Sequence, residues 1–324
     1  MAHLGFGGKR IISFFLAFSV LFFLLRLFSV NTSAADLEGA AERMKNGFFS
    51  MEESIDISQY EITPEILGSL FSSVIKNEPY LFFVHRNLSY SYEPDGFVLS
   101  VKPKYTMSRE DVDIAIAFCR EKVLEMTKGA CGGEAERALY LHDLICESFE
   151  YDDSLENDNI YVFFTTGKGT CQGYTLAYMA ALRECGIESC FAASDTIAHI
   201  WNLVKIDGEW YHADLTWDDG ESVIRRHFLL SDATAFERGH KDWYSAESIS
   251  CTSDNYLNAD FDELSYTSAG NGDADHNGAC ELLDLLKIRS NEDICKKCAD
   301  IDRDGEMGEE DAELLRQKLI FEDY

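Results

Sequence analysis

Gly169-Thr170-Cys171-Gln172-Gly173-Tyr174 opens an apolar stretch in which Leu176, Ala177, Met179, Ala180 and Leu182 recur at helical spacing. Gly186 stands just past the end, where a left-handed cap is expected. The stretch is apolar on most sides, which predicts a buried helix with Cys171 at its N-terminus. Free amides and the helix dipole at that end favour a thiolate.

Downstream stand His199-Ile200-Trp201-Asn202 and His212-Ala213-Asp214-Leu215-Thr216-Trp217, with Asp207-Gly208 between two apolar runs. An aspartate–glycine pair in that setting predicts a tight hairpin. With those two residues as the whole turn, Ile206 faces Glu209 and Trp201 faces Asp214. His199 then shares a face with Asp214, on the diagonal, at about 7–8 Å between backbones. A one-residue slip would put them on opposite faces. Cys171 as nucleophile, His199 as base and Asp214 as orienter form a scheme for attack on an amide carbonyl through a thioester. The Cys171 amide is one candidate oxyanion donor, and Tyr161 or Trp201 is a guess for the other. The competing readings are a packing cysteine with a core histidine, and a metal site of Cys171, His199 and His212 whose spacing does not demand zinc. His142, His212, His227 and His240 read as structural or exposed, and Trp201, Trp210 and Trp217 as site walls and core.

Working outward, Thr63-Pro64-Glu65 opens a helix bearing Ile66, Leu67, Leu70, Phe71, Val74 and Ile75. Tyr90, Tyr92, Phe97, Leu99 and Val101 alternate around Glu93-Pro94-Asp95-Gly96, as in a hairpin. Ser108 with Asp111 starts a helix through Leu124, and another runs from about Glu134 to Phe149. Residues from about Ser245 to Ala269, rich in Ser, Asp, Asn and Thr, read as a linker.

The 324 residues are 46% hydrophobic, enough for a sizeable core, and the net charge of −30 excludes nucleic acid as an expected partner. Lys9 and Arg10 precede an apolar run from Ile11 to Leu25, and small residues stand at Ser33 and Ala35. This pattern predicts a secretory signal cleaved after Ala35. The alternative is an uncleaved anchor over Ile11 to Val30, the one route to a membrane association. The ten cysteines permit disulfides, whose pairing spacing alone does not define.

At the C-terminus, Asp273, Asp275, Asn277, Glu281 and Asp284 occupy positions one, three, five, nine and twelve of an acidic loop, with Gly278 at six. Asp300, Asp302, Asp304 and Asp311 repeat the plan around Gly305, with Gly308 leaving position nine to a water. The carbonyls of Ala279 and Glu306 supply position seven. Calcium takes six to eight such hard oxygens, so two calcium ions are expected. Residues 270–324 hold 16 acidic against 7 basic side chains, a repulsion that two ions would offset. Each loop runs into one helix. Cys295 and Cys298 between the repeats form a C-x-x-C suited to a local disulfide.

The stretch from Tyr161 to Asp219 resembles the transglutaminase-like superfamily. The resemblance rests on Gly-Thr-Cys171-Gln-Gly-Tyr, on His199-Ile-Trp-Asn and on Asp207-Gly-Glu-Trp-Tyr-His-Ala-Asp214-Leu-Thr-Trp. Leu141-His142-Asp143 and Tyr151-Asp152 are similar to its secreted bacterial branch. This implies a papain-like thiol fold with the roles already given to Cys171, His199 and Asp214, and no cofactor for that core. The family spans peptidases, deamidases, cross-linkers and inactive relatives. Residues 270 to 321 resemble a type I dockerin, which implies calcium binding and docking onto the cohesin domain of a scaffoldin in a cellulosome-type complex. Unlike pairs at loop positions ten and eleven, Leu282-Leu283 and Glu309-Glu310, favour docking through one face.

The expected protein is α+β. It divides into a signal or anchor at 1–35, a lead-in region at 36–130, a catalytic core at 131–245, a linker at 246–269 and an all-α module of two loop–helix repeats at 270–324. Its expected activity is that of a secreted, extracellular cysteine peptidase or amidase acting on protein or peptide amides. The alternatives are a transglutaminase joining Gln to Lys and a non-catalytic peptide-binding adaptor. No carboxylate pair is placed to support glycoside hydrolysis.

Overall fold

The computed structural model describes residues 34–93, 96–154, 158–220, 222–245, 248–261, 274, 282–290, 296–301 and 307–321. Of the signal or anchor expected over residues 1–35, Ala34 and Ala35 fall among these residues and the rest lies outside them. Among the described residues no helix is long and apolar enough to cross a membrane.

The lead-in region contains α1 (Ala34–Phe49), β1 (Ile55–Asp56), α2 (Pro64–Asn77), β2 (Ser89–Tyr92) and β3 (Val98–Lys102). Thr63 is extended, so Pro64 enters the first turn of α2, where a missing N–H leaves nothing unsatisfied. Leu67, Leu70, Phe71 and Val74 turn to a core shared with Met44, Phe48 and Ile55. The sheet order is β1-β3-β2, all antiparallel. The expected simple alternation fails here. Pairing shifts from Ser91↔Ser100 to Tyr92↔Val98, so Leu99 is an extra residue. This bulge lets Val98 and Val101 both reach the core, while Tyr90 and Tyr92 on the edge strand β2 stay exposed.

Helix α3 (Arg109–Thr127) begins at Ser108, whose hydroxyl accepts the Asp111 N–H at 3.2 Å. Its Val112 belongs to the first core, whereas Cys119 and Val123 belong to the second. The two units therefore share a helix.

The second unit contains α4 (Glu134–Ser148), β4 (Glu150–Tyr151), α5 (Ile160–Thr166), β5 (Lys168–Gly169), α6 (Cys171–Glu184), β6 (Ser189–Ser194), β7 (His199–Ile206), β8 (Glu209–Ala213), α7 (Leu215–Asp218), α8 (Asp232–Glu237) and β9 (Tyr244–Ser245). Helix α6 is buried from Gly173 to Leu182, in keeping with its all-round apolar sequence. Each large side chain buried there contributes about 1.5–3 kcal/mol. Gly186 ends the segment at φ +72°, as its position predicts. The antiparallel sheet β8-β7-β6-β9 packs on this helix. Asp207 (φ +51°) and Gly208 (φ +86°) form the turn of the β7–β8 hairpin, and Ile206 pairs with Glu209 as expected. The short parallel pair of β4 and β5 sets Tyr151 opposite Gly169, two residues before Cys171.

Residues 248–261, expected within a linker, instead lie on this core. Cys251 is buried and its N–H donates to Asp232, and Phe261 packs edge-on against Phe228 at 5.3 Å. Their apolar members outweigh the polar composition that suggested a loose tether.

At the C-terminus stand α9 (Leu282–Ser290), α10 (Lys296–Ala299) and α11 (Glu309–Phe321), joined by a small core of Ala274, Leu285, Ile288, Ala299, Ala312 and Leu315. The expected Cys295–Cys298 bridge is not the pairing found. Cys298 bonds to Cys131, 167 residues away in the loop before α4. Both sulfurs are buried together, so tertiary proximity overrides the local C-x-x-C spacing.

Candidate active site

Gly169 is required where it stands, because a Cβ there would lie 2.1 Å from the Phe163 ring. This close approach of β5 to α5 brings the chain to Thr170, the N-cap residue, and sets Cys171 in the first turn of α6. The Thr175 hydroxyl donates to the carbonyls of Cys171 (2.8 Å) and Ile200 (3.2 Å). The Asn202 amide donates to the Thr175 carbonyl at 3.1 Å. Helix α6 and strand β7 are thereby locked together at the level of the sulfur.

His199 opens β7, opposite Ser194 of β6. Its Nε2 lies 2.7 Å from Asp214 Oδ2, and Cys171 is near enough to contribute to the ring's raised pKa. With Nε2 engaged by the carboxylate, Nδ1 remains for the sulfur. The indole of Trp217 stacks on the ring at 4.8 Å and 6° between planes, fixing its orientation.

Asp214 is fully buried and performs two structural tasks. Its Oδ1 accepts the Trp217 N–H at 3.3 Å, capping α7. Its own N–H donates to the His227 carbonyl at 2.9 Å. Burial alone would raise the carboxyl's pKa, but the charge and hydrogen bond of His199, with a second bond from His240, hold it well below the usual carboxylate range. Burial likewise pulls His199 down. The Asp214 charge and hydrogen bond, followed by Cys171, override that and push the imidazole up to about 9.

Two of the four histidines first read as structural or exposed serve roles that spacing does not reveal. His240 is fully buried, and its Nε2 lies 2.8 Å from the same Asp214 oxygen that His199 engages. His212 accepts the Trp201 indole N–H at Nδ1 (2.9 Å) and meets Asp232 at Nε2 (2.9 Å). Both its nitrogens are used, so it cannot join Cys171 and His199 around a metal. The same bond commits the Trp201 indole, removing it as an oxyanion donor. Tyr161 stacks on Phe82 at 5.4 Å. The aromatic whose hydroxyl feels the charge of Cys171 is Tyr151, half-exposed; burial first and that charge second raise its pKa. The parallel pairing of β4 with β5 was the signal, and two-residue strands carry almost none in sequence.

Beneath α7, His142 is buried between Asp143 (2.9 Å) and Asp218 (3.2 Å), which raise its pKa against the effect of burial. Asp218 in turn accepts the His227 N–H. Leu141-His142-Asp143 thus braces the aspartate segment from below.

Of the expected calcium ligands, Asp284, Asp300 and Asp311 fall among the described residues, whereas Asp273, Asp275, Asn277, Ala279, Glu281, Asp302, Asp304 and Glu306 lie outside them. Asp284 and Asp311, the twelfth loop residues, are both buried and make matching bonds. Asp284 accepts the Ala274 N–H at 2.8 Å and Asp311 the Ile301 N–H at 2.6 Å, each from loop position two. Leu282 is 63% exposed, which places it outside the small core.

Residues 120–215 match the model of the transglutaminase-like superfamily. Similar solved structures include a TGase, at 12% identity over 48% of this chain and 52% of that one, with a TM-score of 0.30. A provisionally named cysteine protease from Cytophaga hutchinsonii is 13% identical over 50% of this chain and 73% of its own, with a TM-score of 0.27. A provisionally named protease from Parabacteroides distasonis is 14% identical over 39% and 35%, at 0.26. The chain spans about half the length of the TGase. No curated protein matches it. Residues 120–215 of this chain are a transglutaminase-like superfamily domain, and Cys171, His199 and Asp214 all fall within it.

Proposed function

We propose that the chain is a cysteine-dependent acyl-transfer enzyme acting on protein or peptide amides, of peptidase or amidase type. The observation that carries this reading is the His199 ring held by Asp214 at 2.7 Å, with Cys171 at the start of α6 close enough to raise the ring's pKa. The thiol proton passes to His199 Nδ1, and the sulfur attacks the amide carbon. The tetrahedral oxyanion meets the Cys171 N–H at the start of α6. Collapse breaks the C–N bond, and His199 returns the proton to the leaving amine. Water then gives a proton to His199 and its oxygen to the thioester carbon, and the thiol is regenerated. Asp214 holds the imidazole tautomer throughout and does not itself take the proton.

The C-terminal residues support a second element of the proposal, a dockerin that binds two calcium ions and seats on a cohesin-bearing scaffold outside the cell. Asp273, Asp275, Asn277, Ala279, Glu281 and Asp284 would hold one ion, and Asp300, Asp302, Asp304, Glu306 and Asp311 the other. Hard oxygens at these loop positions suit calcium, and the matching bonds of Asp284 and Asp311 favour a repeated loop. The Cys131–Cys298 disulfide fits an exported protein.

The test is mass spectrometry of candidate proteins incubated with the full chain and a labelled primary amine. Cleavage or deamidation supports the hydrolytic reading. Amine incorporation would make the protein a transglutaminase. No product, with Cys171 no more reactive to iodoacetamide than in a His199→Ala variant, would leave only a peptide-binding adaptor.

A further inference from the structure

We infer that His240 is a positioning residue that holds Asp214 in place independently of the catalytic imidazole. This rests on the Cys171–His199–Asp214 reading and extends it to a fourth side chain, outside the stretch that matches the family model.

The geometry is specific. Asp214 Oδ2 lies 2.7 Å from Nε2 of His199 and 2.8 Å from Nε2 of His240. An ionised carboxylate only accepts, so both rings donate to this one oxygen. His199 is a poor anchor for its own orienter, since its ring must pass a proton between sulfur and substrate in each cycle. The Trp217 N–H on Oδ1 is long, at 3.3 Å. The His240 bond is the short side-chain contact that ties the Asp214 carboxylate to a part of the fold that does no chemistry.

His240 is itself rigidly mounted. Its backbone N–H donates to the Ala235 carbonyl at 3.0 Å, at the end of α8, and its Nδ1 faces the same oxygen at 3.3 Å. Its ring lies between Trp201 (4.5 Å) and Trp217 (4.4 Å). Gly239, at φ +115° and with its missing Cβ 3.3 Å from Trp217, lets the chain turn into this slot. The ionisable groups facing the cluster from the neighbouring elements are Cys171, His199, His212, His227 and Asp218.

A metal held by His199, Asp214 and His240 is the competing use of these three residues. Both rings point at one carboxylate oxygen at hydrogen-bond length, so the ligand atoms are bonded to each other, which favours the protonic arrangement.

The experiment compares His240→Gln with His240→Met in the full chain. The two side chains are close in size, but only glutamine can place an N–H where Nε2 stood. The readout is the rate of Cys171 alkylation by iodoacetamide across pH 5 to 9, followed by peptide mapping, with circular dichroism to verify folding. Positioning predicts that Gln stays within about threefold of wild type. It predicts that Met falls about tenfold at neutral pH and that its acid limb moves upward, because a buried carboxylate with fewer donors ionises less readily. A packing role predicts the reverse order, since Met suits a slot between two indoles better than Gln does. Equal rates for Met, Gln and wild type, with wild-type Cys171 still hyper-reactive relative to His199→Ala, would overturn this inference alone. A wild-type Cys171 without enhanced reactivity would overturn the triad reading and this inference together. Zinc bound stoichiometrically by wild type and not by His240→Gln would also overturn it, in favour of the metal.

Discussion

Replacing Asp214 with asparagine removes the charge that keeps His199 protonated. In the intact site the imidazole is pushed from 6.5 up to about 9, although burial acts in the opposite direction. That displacement corresponds to about 3 kcal/mol of preference for the charged ring, shared between Asp214 and Cys171. With the carboxylate gone, burial prevails and the midpoint should fall below 6.5. At pH 7.5 the imidazolium would then drop from nearly every molecule to below about a tenth. The ring is raised in the folded state, so its contribution to stability is fully present below pH 6.5 and is lost as pH climbs through 9. Wild type should therefore lose up to about 3 kcal/mol of unfolding free energy across that window, and Asp214→Asn should be flat there. Histidine ring NMR, assigned with a His199→Gln sample, gives the midpoint directly, and urea denaturation at pH 6 and pH 10 gives the stability change. A wild-type midpoint near 6.5, or one that the variant leaves in place, would refute the electrostatic account.

Gly169→Ala should cost about 1–3 kcal/mol and slow Cys171 alkylation, because the new methyl collides with Phe163 and displaces the start of α6. Phe163→Leu in the same chain should restore part of both, and no restoration would point to a backbone effect instead. Cys131→Ser should lower stability by about 2–5 kcal/mol in denaturant, the range for a disulfide closing a long loop; an unchanged midpoint would mean the bridge holds nothing together. In hydrogen-exchange mass spectrometry of the full chain, calcium at a hundredfold excess over its dissociation constant should protect Leu285 and Leu315 by about 2.7 kcal/mol. Asp311→Ala should abolish the gain in its repeat, and equal protection with and without chelator would remove calcium from the reading.

The β7–β8 hairpin was legible because its information is local. Asp207 and Gly208 adopt the positive φ that their turn needs, and period-two alternation then carries His199 and Asp214 to one face. Cys171 was legible because the helix behind it is apolar on nearly every side. His240 was not. It follows Asp214 by 26 residues, and α8 and β9, six and two residues long, bring it back to the site without periodicity. Trp201 was placed correctly by register, but its indole N–H turns to His212, a choice made by side-chain torsions that no spacing records. The Phe97–Leu99–Val101 alternation misled because one extra residue in β3 changes which of its side chains share a face. The bridge from Cys298 lies beyond any sequence window, since its partner is in another unit.

That bridge also gives the C-terminal helices a second covalent link to the rest of the chain. Its ends, Cys131 and Cys298, stand 167 residues apart, so the covalent ring they close contains Cys171, His199 and Asp214. A pull on α9 or α11 would therefore reach the loop before α4 directly, without travelling through the intervening residues. Reduction of the bond would open that ring and leave α9 to α11 joined to it by the main chain alone.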